Sequence, residues 1–365
     1  MGTKLEKPTA VSEDPRYYTL DGMRGVAALM VVHFHYVLVA GYVLGDQHKM
    51  QAYLAVDLFF ALSGFVIALS YSDKLASALS ISGFVKRRLI RLYPLYIFGI
   101  ALGLSIEVAR ALSTGSGFKI SEWAVEFGFN LFFLPSFQHE ILFPLNLPAW
   151  SLFYEMAVNI LFAWVLWRVP AKLLVPIAIA SIFPIVWFSS YPVYFGNGDA
   201  SNDIVVGFAR TLLSFIIGIL LFRYARAERR NVSLLACLPL FFLVVVLIQG
   251  RNQPVVEFAS VLLAFPLLLF FAIRIEPPAY LRGLFSWLGD ISYPVYLIHF
   301  PLMIPATTGF VALGIPPLFY PALFIVIVAV LGYALGKFYD EPVRRFLRSR
   351  DPTRRTSGNQ EAKYE

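Results

Sequence analysis

The chain alternates long apolar segments with short polar loops from one end to the other. Each apolar segment approaches the roughly 20 residues that a helix needs to cross the hydrocarbon core of a bilayer. A lone strand would leave its backbone groups unpaired in lipid, so the pattern predicts helices. We therefore predict an all-α, polytopic membrane protein with about ten transmembrane helices, at 19–40, 52–70, 92–112, 149–167, 172–190, 204–222, 231–249, 255–273, 286–309 and 316–338.

One further segment, 121–137, is shorter and carries two glutamates and an asparagine. If it does not cross the membrane, 24 of the 30 Lys and Arg residues fall on one side and 4 on the other, with Arg24 and Arg210 inside spans. Cytosolic loops are enriched in Lys and Arg, so this bias indicates one consistent topology. We predict that 121–137 is a re-entrant or interfacial helix on the outer side and that both termini are cytosolic.

Composition agrees with membrane embedding. The 365 residues are 58% hydrophobic and 15% charged, against about 45–50% apolar and about 25% charged in soluble domains. Basic cytosolic loops explain the net charge of +7, so we expect a lipid bilayer and no nucleic acid as a partner. The single cysteine, Cys237, belongs to no metal-ligand pattern, and no metal is expected. We predict a cytosolic segment 1–18, a membrane domain 19–342 and a disordered cytosolic tail 343–365.

The first span holds unusual polar residues, and charged groups inside spans are commonly functional or paired. Arg24 and His35 are eleven residues apart, so they share one helical face and lie about 16 Å apart along the axis. His33 lies about 160° around the helix from His35 and faces elsewhere. The alternative is an interfacial arginine with packed histidines.

Two carboxylates lie near the outer ends of other spans. Asp57 is close to the outer end of the second span, and Glu155 lies about two turns inside the fourth. The topology puts both near the depth of His35, which suggests a base that a carboxylate orients or charges. Which carboxylate contacts His35 is open, and a structural polar cluster is the alternative. In the second span, Ser63 and Gly64 would permit close helix approach.

A basic segment precedes the third span on the cytosolic side. Arg87 and Arg91 are one helical turn apart, and Arg88 lies beside them. Such a group can grip phosphates through paired hydrogen bonds. An ordinary topology anchor or a lipid headgroup contact is the alternative.

Two other polar residues lie inside spans. His299, in the ninth span, is a substrate-lining or second catalytic group, or else a packed core histidine. Arg210 is expected to pair with Asp203 or Glu257. Neither residue alone predicts a reaction.

The order of these motifs resembles that of the acyltransferase family 3 membrane proteins, the O-acetylases of bacterial surface polysaccharides, Nod factors and some antibiotics. The resemblance runs from Tyr18 to Pro342. Its pieces are LDGMRGVAALMVVHFH (20–35), AVDLFFALSGFVI (55–67), FVKRRLIRLYPLY (84–96), PAWSLFYEMAVNILF (148–162), LGDISYPVYLIHFPL (288–302) and YDEPVRR (339–345). One piece is a weak signal, whereas six in order are specific.

The resemblance implies roles for individual residues. The family's arginine-rich loop, linked to acyl-CoA, corresponds to Arg87, Arg88 and Arg91, and its Trp-Ser-Leu-x-x-Glu element to Trp150, Ser151, Leu152 and Glu155. With the features above, it implies catalytic His35, Glu155 and Asp57; donor-binding Arg24, Arg87, Arg88 and Arg91; and substrate-lining Trp150, Ser151, Tyr293 and His299. The stretch MAVNILF after Glu155 departs from the common aromatic-rich form and leaves acceptor specificity open.

The resemblance also implies an enzyme of the bacterial cytoplasmic membrane. It would move an acyl group, expected to be acetyl, from cytosolic acyl-CoA to a hydroxyl of a carbohydrate or lipid-linked glycan at the outer side. His35 would be the general base or would briefly carry the acyl group. Acyl-CoA would be a co-substrate, with no permanently bound cofactor, and the acceptor would approach near Tyr191, Tyr194 and Phe195.

The resemblance implies a stand-alone member of the family, without the fused SGNH esterase-like domain that some members carry. A transporter or flippase of a lipid-linked sugar is the alternative function, since many spans and buried charges fit it. Such folds often show internal repeats with paired broken helices, and the sequence shows none.

Overall fold

The computed structural model describes residues 16–44, 50–115, 120–189, 195, 198–225, 230–250 and 253–350. Helices dominate these ranges, with one pair of two-residue parallel strands, β1 (Asn231–Val232) and β2 (Ile275–Glu276). The helices are α1 (Tyr18–Leu44), α2 (Ala55–Ser77), α3 (Ile81–Thr114), α4 (Ile120–Leu131), α5 (Ala149–Leu161), α6 (Ala171–Phe188), α7 (Ile204–Ala225), α8 (Cys237–Leu247), α9 (Pro254–Ala259), α10 (Phe265–Ala272), α11 (Ala279–Ala312), α12 (Tyr320–Leu335) and α13 (Glu341–Ser349). π-Helical segments continue α5, α9 and α12, at Phe162–Leu166, Ser260–Ala264 and Gly336–Asp340.

The predicted all-α, polytopic architecture is confirmed. In the described ranges, eight helical stretches are long and apolar enough to cross a membrane: Ala52–Ser77, Ile81–Thr114, Ala149–Leu166, Ala171–Phe188, Ser201–Ala225, Pro254–Ala272, Ala279–Ala312 and Pro317–Ser349. The other two predicted spans correspond to α1, which is 27 residues long, and to the shorter apolar helix Leu234–Leu247. The protein is therefore an integral membrane protein in which every predicted span is helical.

The segment 121–137 contains α4, which has only 12 residues. A helix of that length cannot cross the hydrocarbon core. Its polar residues turn inward: Glu126 is fully buried and accepts a hydrogen bond from the Ser136 hydroxyl at 2.5 Å. A short helix whose buried polar side chains face the protein supports the predicted re-entrant or interfacial position.

Two tightly packed helix pairs build the centre of the bundle, α1 with α11 and α2 with α7. Gly25 allows the first pair to approach, because a methyl group there would lie 2.5 Å from the carbonyl oxygen of Leu288. In the second pair, a methyl group at Gly64 would collide with the carbonyl of Phe215. The close approach predicted at Gly64 is thereby confirmed, and the α1–α11 contact brings two histidines together.

The C-terminal segment corrects the sequence-based interpretation. Residues from 343 onward were predicted to be disordered, yet α13 continues the helix to Ser349. Its first turn is fixed because Arg344 pairs with Asp340 at 2.7 Å and Tyr339 donates a hydrogen bond to the carbonyl of Pro94 at 3.2 Å. The prediction of disorder rested on charged composition, which does not reveal contacts with α3. Residues 351–365 lie outside the described residues.

Candidate active site

A histidine pair lies between α1 and α11. Nδ1 of His35 lies 2.8 Å from Nε2 of His299, and the two rings are nearly parallel, with centroids 5.1 Å apart. His299 is fully buried, whereas His35 is half-buried. The second ring nitrogen of His299, Nδ1, lies 3.1 Å from the carbonyl oxygen of Val295. The structure thus places the predicted base beside a residue that was predicted to line the substrate.

This hydrogen-bond chain assigns the tautomers of the neutral rings. A carbonyl oxygen only accepts, so Nδ1 of His299 carries the proton that it donates to Val295. Nε2 of His299 is then an acceptor, and Nδ1 of His35 must donate to it. The remaining nitrogen of His35, Nε2, therefore has a free lone pair, and it has no hydrogen-bond partner among the described residues. A nitrogen in this state can accept a proton or attack a carbonyl carbon.

Asp57 does not contact His35, so the prediction that it could orient this base is wrong. Its carboxylate accepts two hydrogen bonds from Arg210, at 3.2 and 2.6 Å, and one from the Ser214 hydroxyl at 3.4 Å. Arg210 was expected to pair with Asp203 or Glu257, but its ion pair is with Asp57. A buried guanidinium needs an anion, and α7 packs so closely on α2 that Asp57 supplies it.

Glu155 is also engaged elsewhere. One of its carboxylate oxygens, Oε1, accepts hydrogen bonds from Ser63 and from Arg88, each at 2.9 Å. Ser63 lies six residues beyond Asp57 on α2, which corresponds to about 9 Å along the helix axis. Glu155 therefore lies closer than Asp57 to the predicted cytosolic end of α2, and the prediction of one common depth is wrong. The reason is that α5 and α2 are offset along their axes.

Arg24 lies at the end of the α1–α11 contact that is predicted to be cytosolic. Its guanidinium donates to Asp21 at 2.8 Å and to the Ser292 hydroxyl at 3.1 Å. Asp21 also accepts a hydrogen bond from Arg16 at 2.7 Å. About a third of the Arg24 side chain stays exposed.

The predicted donor-binding arginines of α3 differ in their surroundings. Arg88 forms an ion pair with Glu155 at 2.9 Å, whereas the guanidinium carbon of Arg91 lies 5.7 Å from the centroid of the Tyr293 ring. Arg87, one turn before Arg91, is half-buried. Tyr293 donates its hydroxyl hydrogen to the carbonyl of Leu92 at 2.6 Å, which ties α11 to α3.

Trp150 and Ser151 lie in the first turn of α5. Ser151 is buried and lies 2.8 Å from the hydroxyl of Tyr296, whose ring centroid is 6.0 Å from that of His299. The Trp150 ring centroid lies 5.4 Å from the guanidinium carbon of Arg210. The predicted lining residues thus connect the histidine pair with the buried Asp57–Arg210 pair.

Two residues of the expected acceptor approach, Tyr191 and Tyr194, lie outside the described residues. The third, Phe195, is fully buried, and its amide donates to Glu257 at 2.9 Å. It is therefore a core residue and not a lining one. Within the described ranges, no group of three His, Cys, Asp or Glu residues is placed to hold a metal ion.

A profile described as an acyltransferase domain matches residues 17–335. The chain belongs to acyltransferase family 3. This confirms the family that the sequence motifs indicated, and it places the chain among the acyltransferases. All of the predicted site residues lie inside the matched range.

Similar proteins come from several bacteria. "Protein 2 in picA locus" of Rhizobium radiobacter is 37% identical over 42% of this chain and 85% of its own length. The "O-acetyltransferase OatA" of Staphylococcus aureus is 24% identical over 94% of this chain and 60% of its own length. The "Peptidoglycan O-acetyltransferase OatA" of Listeria monocytogenes is 26% identical over 90% of this chain and 56% of its own length. The chain thus spans less than two thirds of either OatA protein, and no solved structure matches it with significance.

Two features of this site escaped sequence reasoning. Tyr296, which bridges Ser151 and the histidine pair, gave no signal apart from its place in the SYPVYLIH motif. The pairing of His35 with His299 was also missed, because the predicted start of the ninth span, at 286, was seven residues too late. In the structure the residues lie 17 and 20 positions from the first residues of α1 and α11. At 1.5 Å per residue these are depths of about 26 and 30 Å, which are nearly equal.

Proposed function

We propose that the protein is a membrane O-acyltransferase that moves an acetyl group from cytosolic acetyl-CoA to a hydroxyl of a glycan at the outer side. Family membership supports acyl transfer, and the names of the two OatA relatives support the acetyl group. The peptidoglycan named for the Listeria monocytogenes protein favours a cell-surface glycan, or its lipid-linked precursor, as acceptor. Embedding in the bilayer gives such a protein access to both compartments.

The observation that carries the proposal is the free lone pair on Nε2 of His35. His299 accepts a hydrogen bond from the opposite ring nitrogen, Nδ1 of His35, and the carbonyl of Val295 fixes His299 in turn. This arrangement orients the imidazole and stabilises the charge it gains on taking a proton, as the third member of a nucleophile–histidine–carboxylate triad does. Here the orienting group is a neutral histidine.

In the direct route, Nε2 of His35 takes the proton of the acceptor hydroxyl while that oxygen attacks the thioester carbon. The C–S bond breaks, and the CoA sulfur takes the proton from Nε2, so the products are an O-acetyl ester and free CoA. In the second route, Nε2 attacks the thioester, an acyl-histidine forms and CoA leaves as the thiolate. The acceptor hydroxyl then takes the acyl group, and its proton neutralises the thiolate.

Donor binding would use the arginines at the cytosolic end of the bundle. Arg24 and His35 lie on one face of α1, about 16 Å apart along the axis. Phosphates held by Arg24, Arg87, Arg88 and Arg91 would leave the pantetheine arm to span that distance and bring the thioester to Nε2 of His35. Guanidinium groups suit this task, because they bind phosphate oxygens through paired hydrogen bonds.

The test uses purified protein, acetyl-CoA labelled in the acetyl group, and soluble fragments of cell-surface glycans. We expect label to appear in a base-labile ester of the glycan, with one CoA thiol released for each ester formed. An acid-quenched sample taken before acceptor addition distinguishes the routes, since label on the protein indicates the acyl-histidine. A transporter of lipid-linked sugars would leave the thioester intact, and that result would contradict the proposal.

A further inference from the structure

Arginines from three distant parts of the chain meet at the cytosolic end of the bundle. Arg91 on α3 lies near enough to Arg24 on α1 and to Arg344 on α13 for their like charges to act on one another. The Tyr339 hydroxyl, just before α13, donates a hydrogen bond to the carbonyl of Pro94 on α3 at 3.2 Å. Tyr293 on α11 is a common neighbour: the centroid of its ring lies 5.7 Å from the guanidinium carbon of Arg91, and its hydroxyl is within electrostatic range of Asp340, the residue that precedes α13. The C-terminal helix therefore reaches the donor-binding arginines.

The charges in this group do not balance. Arg24 pairs with Asp21, Arg88 with Glu155 and Arg344 with Asp340, at 2.8, 2.9 and 2.7 Å. Arg91 lies over the Tyr293 ring and forms no hydrogen bond or ion pair with any described residue. One positive charge is thus left over where several guanidinium groups lie close together, an arrangement that favours an anion.

Hydrogen-bond donors are also left over. Among the described residues, two buried arginine nitrogens have no hydrogen-bond partner: Nε of Arg88 and Nε of Arg344. Buried donors are nearly always paired, so each unpaired one calls for an explanation. Asp340 engages Nη2 of Arg344 and leaves the rest of the planar guanidinium free for a second acceptor.

We propose that Arg344 binds a phosphate group of the acyl-CoA donor together with Arg91. This inference rests on the proposed function and extends the donor site to the C-terminal helix. A phosphate oxygen would neutralise the excess charge and accept the unused hydrogen bonds of the guanidinium. Asp340 would act as the positioning residue, since it is 3% exposed and pairs with Arg344 at 2.7 Å.

The next residue provides a matched control. Arg345 lies on the same helix, pairs with Glu341 and is 74% exposed, whereas Arg344 is 19% exposed. Arg344→Gln and Arg345→Gln remove the same charge from neighbouring positions. The donors compared are acetyl-CoA and acetyl-pantetheine, which carries the same thioester without phosphates.

For the full-length protein in lipid-free detergent, we expect Arg344→Gln to raise the KM for acetyl-CoA at least about tenfold. The KM for acetyl-pantetheine should not change, and Arg345→Gln should behave like the wild type with both donors. Arg91→Gln serves as the positive control. If Arg344→Gln is not monodisperse, Arg344→Lys replaces it, because it keeps the ion pair but loses the guanidinium fork.

Several results would overturn the proposal. Equal KM changes for both donors would mean that Arg344 only supports the fold, and equal effects of the two glutamine variants would mean that general charge matters. A defect confined to nanodiscs containing phosphatidylglycerol would assign the phosphate to a lipid head group. A wild-type protein that uses neither donor would contradict the proposed function itself, whereas normal kinetics of Arg344→Gln would reject this inference alone.

Discussion

The buried pair of Asp57 and Arg210 offers a direct test of which carboxylates serve the fold. The side chains are 0% and 1% exposed, and two hydrogen bonds of 2.6 and 3.2 Å join them. Arg210→Met leaves the Asp57 carboxylate with only the Ser214 hydroxyl at 3.4 Å. Breaking a buried ion pair from one side costs about 3–5 kcal/mol, because the remaining charge stays buried without compensation.

Removing both charges should restore most of that loss. Replacing a buried ion pair with apolar residues of similar volume often leaves the stability of the fold unchanged or raises it by about 1–4 kcal/mol. We therefore expect Asp57→Leu combined with Arg210→Met to be more stable than Arg210→Met alone by about 3 kcal/mol. The double-mutant cycle is completed by measuring the free energy of unfolding in detergent for four proteins: the wild type, Asp57→Leu, Arg210→Met and the double variant.

The same variants separate a structural from a catalytic role of Asp57. Since Asp57 contacts Arg210 and not His35, the double variant should keep acetyl transfer within about tenfold of wild type, well below the loss expected for a general base. Strictly additive destabilisation would refute the ion-pair argument. A stable double variant without turnover would restore the catalytic role that the family resemblance implied.

Three further predictions follow from the helix contacts. His299→Gln should lower kcat about 10²-fold with little change in the KM for acetyl-CoA, because it removes the group that orients the base; a larger change in KM than in kcat would contradict this. Gly64→Val should destabilise the protein by about 1–3 kcal/mol or more by forcing α2 away from α7, and an unchanged melting temperature would show that the contact is loose. With Cys237 replaced, a membrane-impermeant thiol reagent added to intact cells should label Glu140→Cys and not Arg345→Cys, and the reverse pattern would invert the topology.

The sequence predicted the helices well because spans are encoded locally. Each needs a run of apolar residues, and the distribution of Lys and Arg orders the loops without knowledge of the packing. The same local reasoning put Arg24 and His35 on one face of α1. Contacts between helices are different, since neighbours such as His35 and His299 are 264 positions apart.

The incorrect assignments share this cause. Asp57 and Glu155 were paired with His35 on depth alone, and depth does not say which helices touch. Glycines determine that here: Gly25 brings α1 onto α11, and Gly64 brings α2 onto α7, where Arg210 captures Asp57. The C-terminal helix was missed because its order depends on α3 and not on its own composition.

The most direct test of the central claim is acetyl transfer by His35→Ala compared with His33→Ala. The two histidines lie two residues apart on α1, but about 160° apart around the axis. We predict that His35→Ala loses at least about 10²–10⁴ in turnover while acetyl-CoA binding and monodispersity persist. The turnover of His33→Ala should stay within about tenfold of wild type, since His33 lies on a different face of α1 from His35. Wild-type turnover by His35→Ala, with loss in His33→Ala, would contradict the account and move the role of base to His33.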